Sequence, residues 1–286
     1  MKGTKLPGTE IEVINEVERG RFKHVLFDFD GTVSLLREGW QLVMGPLMVE
    51  MISGGGSPSC LPEIEDEVRE YIEESTGIQT ILQMERLVEM VRARGLVPED
   101  QILDAQGYKQ IYNDRLMERV NERIKELETG TLTPKDVTLR GALDFLERLS
   151  RKDVTMYIFS GTDRDDVRNE SRLGGVAPYF QEIWGALREY KDYNKEMVLK
   201  EIIATNNLHG SEVLIVGDGP VEIRNARDND CVSVGVASDE IRGYGWNMDK
   251  YPRLVKAGAD IMVPDFSDGP APVSYTHLTL PTIYSV

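Results

Sequence analysis

His24-Val-Leu-Phe-Asp28-Phe-Asp30-Gly31-Thr32-Val33 constrains the fold more than any other stretch: an apolar run ends abruptly in two carboxylates and a glycine. Val25 to Phe27 reads as a buried parallel strand, being continuously apolar, rich in strand formers and closed by a turn signal. Side chains two apart on a strand share a side, so Asp28 and Asp30 are expected to face one spot at the strand's carboxyl end. Open α/β sheets bind ligands at that edge. Two carboxylates so close repel unless a cation or a shared proton stabilises them. One is then available as nucleophile and the other as proton donor, with a metal between them. The plain structural alternative is a capped surface turn.

The same rhythm returns at Val154–Phe159, Glu182–Gly185, Val213–Val216, Cys231–Val236 and Ile261–Val263. Helical stretches at Gly141–Ser150, Lys195–Thr205 and Val221–Asp228 separate these runs. Alternating βα units imply a parallel sheet with right-handed crossovers. Between the first strand and the rest, the period changes. Trp40–Ile52, Glu63–Glu74, Ile78–Arg94 and Pro98–Leu127 have helical spacing or helical start signals and no strand signal. The expected architecture is an α/β core interrupted by a helical insertion. Gly54-Gly-Gly-Ser-Pro58 within it reads as a loop, because no Lys-Ser/Thr follows to complete a phosphate-binding P-loop. Arg37 and Trp40 are expected near the hinge, Trp40 as a core residue.

Three further segments carry chemistry. Phe159-Ser160-Gly161-Thr162-Asp163 ends a strand with a hydroxyl and a glycine, which can hold phosphate oxygens through Ser160 and backbone amides. Alone, Ser-Gly-Thr there is a helix cap. A lysine follows, either Lys191 or Lys195; Asn194 is a good helix cap, which favours Lys195 in a first turn aimed at the same edge. A lone lysine is ordinarily solvated, but several acids beside a phosphate demand a positive charge. Finally, Gly217-Asp218-Gly-Pro-Val-Glu222 places Asp218 at a strand end and Glu222 one helical turn on, where both can approach one cation. Hard oxygen ligands of this kind suit Mg²⁺.

The ordered set Asp28-x-Asp30-Gly-Thr, Ser160, a later lysine and Gly217-Asp218-x-x-x-Glu222 resembles the haloacid dehalogenase (HAD) superfamily, over about Phe22 to Asp265. The resemblance implies an HAD core, a Rossmann-like parallel sheet, at residues 1–36 and 137–271, with an all-helical cap at 37–136. It also implies a Mg²⁺-dependent phosphatase for a small phosphate monoester, a sugar phosphate being favoured. In that reading Asp28 is the nucleophile and Asp30 the acid and then base. Lys195, Ser160 and backbone amides near Phe29 and Gly161 hold the phosphate. The metal is held by Asp28, the Asp30 carbonyl and Asp218, with Glu222 as the last acidic position. Gly77, Gln79 and Thr80, in the turn Thr76–Thr80, are the cap residues expected to reach the substrate; an ordinary helix–helix turn is the alternative. Asp30 argues against dehalogenation, because a halide needs no protonation.

Two features depart from the family pattern. Val33-Ser34-Leu35-Leu36 replaces the Leu-x-Asp-Ser common after Asp-Gly-Thr in capped phosphatases, and Glu222 stands where Asp is commoner. A phosphomutase of the β-phosphoglucomutase kind shares all four motifs and is the alternative enzyme; a non-catalytic regulatory module is the third reading.

A small phosphorylated metabolite is the expected partner, and the acidic balance means that it needs locally placed positive charge. The chain has 286 residues and a formal net charge of -16, which argues against nucleic acid. No apolar run approaches the roughly 20 residues a membrane helix needs, and the amino end lacks a signal-peptide core. With Cys60 and Cys231 the only cysteines, a disulfide framework is not expected and a cytoplasmic location is. Val273 to Thr282 differs in composition from everything before it and matches the translation of a transposase-type sequencing adapter. Residues 272–286 are therefore read as an artefact outside the fold.

Overall fold

The computed structural model describes residues 3–17, 22–55, 61–187 and 193–268. The expected loop at 54–58 falls mostly outside these residues, as do Cys60, Lys191 and the segment 272–286. The sheet contains β1 (Thr4–Lys5), β2 (Glu12–Val13), β3 (His24–Phe27), β4 (Thr155–Asp163), β5 (Glu182–Ala186), β6 (Val213–Gly217), β7 (Val232–Val236) and β8 (Ile261–Val263). Their spatial order is β1-β2-β8-β7-β6-β3-β4-β5. From β8 to β5 all neighbours run parallel. The β1–β2 hairpin adds an antiparallel edge on β8 that the βα rhythm did not foretell. Strands of two residues are too short to show alternation.

β3 lies at the centre, with Phe27 paired to Ile158 of β4 and to Val216 of β6. Period two divides its side chains between two cores. Val25 and Phe27 join Phe145 and Leu146 of α5 (Ala142–Ser150), whereas Leu26 joins Phe159 and Leu199, the latter in α7 (Lys195–Thr205). Both faces are covered, as a parallel sheet requires.

Four helices follow β3: α1 (Gln41–Ser53), α2 (Leu61–Ser75), α3 (Thr80–Arg94) and α4 (Ala105–Glu128). They share a core of their own around Met44, Leu47, Val68, Leu87, Tyr108 and Tyr112. Buried ionic contacts tie this layer to the sheet layer. Arg123 of α4 donates to the carbonyls of Leu35 and Leu36 at 3.0 and 2.8 Å, and Lys109 reaches Asp163 at 2.6 Å. Arg37, between the two layers, makes a forked contact with Glu170 of α6 (Arg164–Leu173), the shortest bond being 2.6 Å. The remaining helices are α8 (Pro220–Asp228) and α9 (Lys250–Ala257). Among the described residues no helix is long and apolar enough to cross a membrane.

Candidate active site

Because β3, β4 and β6 are adjacent and parallel, their carboxyl ends bring Asp28, Ser160 and Asp218 together. The Asp28 amide continues the ladder, donating to the Val216 carbonyl at 2.9 Å. Gly31 then turns the chain with φ +78°, and a Cβ there would meet Asp218 Oδ2 at 2.5 Å, so the turn needs glycine twice over. Asn194 caps α7 by accepting from the Met197 amide at 2.8 Å, which fixes Lys195 as the first helical residue. The Lys195 ammonium donates to Asp28 Oδ1 at 2.5 Å and also to Glu222 Oε1. A cavity of about 60 Å³ is walled by Asp28, Asp30, Ser160, Gly161, Thr162, Lys195 and Asp218, together with Arg37, Trp40 and Tyr112.

The charges inside are strongly mutual. Burial raises the Asp28 carboxyl well above the usual carboxylate range; Lys195 works against this, while Glu222 and Asp218 add to it. Burial would lower the Lys195 ammonium, but Asp28 and Glu222 outweigh it and raise it. Asp30 is also raised, again by burial, with Arg37 and a hydrogen bond from Thr162 partly opposing. Thr162 Oγ1 donates to Asp30 Oδ2 at 2.8 Å and Ser160 Oγ does so at 3.4 Å, leaving the buried Oδ1 without a hydrogen-bond partner among the described residues. Glu170 is pushed up to about 7 by burial, an effect that Arg37 offsets only in part.

Glu222 and Asp218 accept from different lysines. Glu222, fully buried, accepts from Lys195, whereas Asp218 Oδ2 accepts from Lys250 of α9 at 2.6 Å. Lys250 also donates to Glu240 at 2.5 Å. Thr32 Oγ1 stands 3.4 Å from both Asp28 Oδ2 and Asp218 Oδ1, so these two carboxylates face a common spot. Asp28, Asp30, Asp218, Glu222 and Glu240 set five carboxylates against the two ammoniums of Lys195 and Lys250, since Arg37 is engaged by Glu170 and Asp166. Such a surplus of buried negative charge fits a divalent cation. Among the described residues no three acids converge into a ready-made cage.

Residues from the helical layer close the cavity: Thr76, Gly77, Ile78, Thr80 and Gln83. Gly77 has φ +98°, and a Cβ there would lie 2.3 Å from Glu222 Oε1. Gln79 does not line this cavity. It faces a neighbouring pocket of about 180 Å³ beside Asn194 and Glu196, with both side-chain polar atoms unpartnered among the described residues. Phe29 is buried in the core, and its carbonyl accepts the Val33 and Ser34 amides at 2.9 and 2.8 Å. Trp40 packs on the helical core and also walls the cavity.

Gly161 touches the closing loop directly: an added Cβ would lie 2.5 Å from the Ile78 carbonyl oxygen. Gly161→Ala should therefore prop the loop away from the sheet. We expect kcat/KM to fall by about 10²-fold with little change in thermal stability, since displacements of about 1 Å cost this much. Steady-state kinetics and a melting curve check it; wild-type kcat/KM would show that the loop contact is not made during turnover.

Sequence reasoning missed Lys250 and Glu240, the Thr162 hydroxyl and the Arg37–Glu170 pair. Thr162 lies inside a quoted motif but was given no role there. The others are tertiary pairings, Arg37 and Glu170 lying 133 positions apart.

Comparison with known proteins bears on the fold and the family. No curated protein was found to match. Solved structures share the fold at low identity. A conserved haloacid dehalogenase-like protein of unknown function from Agrobacterium tumefaciens is 20% identical, with a TM-score of 0.57 over 89% of this chain and 98% of that one. A predicted phosphoglycolate phosphatase from Haemophilus somnus is 18% identical, with a TM-score of 0.55 over 86% and 96%. A β-phosphoglucomutase from Clostridium difficile is 14% identical, with a TM-score of 0.52 over 86% and 92%. The family model for haloacid dehalogenase-like hydrolases matches residues 25–236, from the first core strand to the end of β7, and the chain belongs to that family.

Proposed function

We propose that the protein is a Mg²⁺-dependent phosphatase that hydrolyses a small phosphate monoester, a sugar phosphate being favoured, through an aspartyl-phosphate on Asp28. One observation carries the reading: a buried carboxylate with an ammonium 2.5 Å away stands in a small cavity at the carboxyl edge of the sheet, beside a second acid that has one oxygen unpartnered. A carboxylate oxygen of Asp28 attacks phosphorus as Asp30 gives its proton to the departing oxygen. Asp30 then takes a proton from the water that splits the acyl phosphate. Lys195, Ser160 and the amides at Phe29 and Gly161 hold the phosphate oxygens, each such donor typically contributing a few kcal/mol to the transition state. Glu222 anchors Lys195 through Oε1, which leaves its buried Oε2 without a partner among the described residues and available toward the metal. Asp28, the Asp30 carbonyl and Asp218 are the groups that would hold Mg²⁺, which when bound neutralises charge on the phosphoryl oxygens.

The separate core shared by the helices between 41 and 128 supports a cap at 37–136 inserted into a core at 1–36 and 137–271, whose loop would exclude water and large substrates. Gly77 and Thr80 are the cap positions best placed to meet a leaving group. The net charge of -16 supports a small-metabolite partner over nucleic acid, and a cytoplasmic location fits the near absence of cysteine. Phosphate release across a panel of phosphorylated metabolites, with and without Mg²⁺, tests the proposal. Metal-dependent release from one sugar phosphate well above the rest is expected. Conversion of a sugar monophosphate to its isomer without phosphate release would assign the mutase reading instead.

A further inference from the structure

Lys250 opens α9 and is buried, with its ammonium 2.6 Å from Asp218 Oδ2 and 2.5 Å from Glu240 Oε1. No other charged partner of Lys250 is seen among the described residues. The other oxygen of Asp218 faces Thr32 and Asp28, the spot where the metal would sit. One carboxylate thus stands between a fixed ammonium and a cation site. We propose that Lys250 is a tethered rival of the divalent ion: it neutralises Asp218 and Glu240 in the metal-free protein and lowers the affinity of the site for metal. This rests on the reading of Asp218 as a metal-holding group.

The physical balance gives the sign. A buried ammonium repels a divalent ion a few ångströms away with little solvent to screen it. Its one benefit to metal binding is to hold Asp218 in place, a matter of side-chain entropy and much the smaller effect. Removing the ammonium also releases the charge of Glu240, which stands against the same glycine turn: a Cβ on Gly31 would lie 3.1 Å from Glu240 Oε1 as well as 2.5 Å from Asp218 Oδ2. The trio is also reachable. Asp218, Glu240 and Lys250 line a cleft of about 1060 Å³ between α1, α2 and α9, into which the more exposed Asp239 and Asp249 also face. This acidic cleft gives a cation a way to Asp218 that avoids the small closed cavity.

Calorimetric titration of the full chain with MgCl₂ tests the proposal on wild type, Lys250→Met and Lys250→Gln, the glutamine retaining a hydrogen-bond donor for the two acids. Melting curves in EDTA and in saturating Mg²⁺ give a second readout. Both variants should bind Mg²⁺ at least tenfold more tightly than wild type. They should also melt lower in EDTA and gain more on adding metal, because two buried carboxylates then lack their cation. If Lys250→Met does not fold, Lys250→Gln decides. An unchanged or weaker Kd, with wild type binding metal, overturns this inference alone and makes Lys250 a structural strut. If neither wild type nor variants bind metal, the metal reading of the site falls and this inference with it.

Discussion

Asp28→Asn is expected to abolish turnover, lowering kcat by about 10⁴-fold or more, while the protein stays folded and keeps its melting temperature within a few degrees. The loss follows from chemistry: an amide oxygen cannot form a stable bond to phosphorus, and no neighbouring group can replace it. Glu222 is engaged by Lys195, and Asp218 is committed to Lys250. The retained fold follows from electrostatics. Asparagine has the shape of aspartate, and its Oδ1 can still accept the Lys195 bond now made at 2.5 Å. The substitution also removes a charge that burial, Glu222 and Asp218 all oppose. Lys195 keeps Glu222 as its counter-ion. Activity assays with melting curves check both halves, with mass spectrometry to exclude deamidation back to aspartate. A folded variant with wild-type turnover would remove Asp28 from the chemistry and end the aspartyl-phosphate reading.

What the sequence disclosed and what it hid divide along a physical line. Asp28 and Asp218 were legible because each follows a buried strand, and Ser160 because it lies in the carboxyl-terminal half of another; parallel strands deliver their carboxyl ends to one edge whatever their order in the sheet. Lys195 was legible because Asn194 announces a helix start beside it. The helical insertion showed through its period. Lys250 was hidden because Gly243, Gly245 and Pro252 break up the pattern around a helix of only eight residues, and a lysine in polar surroundings reads as solvated. Glu222 was expected to turn toward a cation shared with Asp218. One of its oxygens, Oε1, accepts from Lys195, a pairing that spacing alone does not reveal. Gln79 lies in the loop that closes the cavity but lines the adjoining pocket instead, since loop residues carry no periodicity to fix their direction.

Asp30→Asn should separate the two halves of the reaction. In the proposed first half Asp30 donates a proton, and its buried environment favours the protonated form. Burial raises its carboxyl, Arg37 and Thr162 only partly resist, and both hydroxyl contacts fall on Oδ2. The proton is thus left for Oδ1, the oxygen without a partner among the described residues. Loss of this acid should slow alkyl phosphates by about 10²- to 10⁴-fold. An aryl ester such as p-nitrophenyl phosphate needs little protonation on departure and should react far better. In the second half, however, the same side chain must accept a proton from water, and asparagine cannot. Stopped-flow mixing of the variant with p-nitrophenyl phosphate should therefore give a burst of about one nitrophenolate per active site, then slow turnover. Protein quenched after the burst should be heavier by one phosphoryl group. Equal slowing of alkyl and aryl esters with no burst would mean that Asp30 shapes the pocket without moving a proton, and acid–base catalysis would have to be sought on another cavity residue.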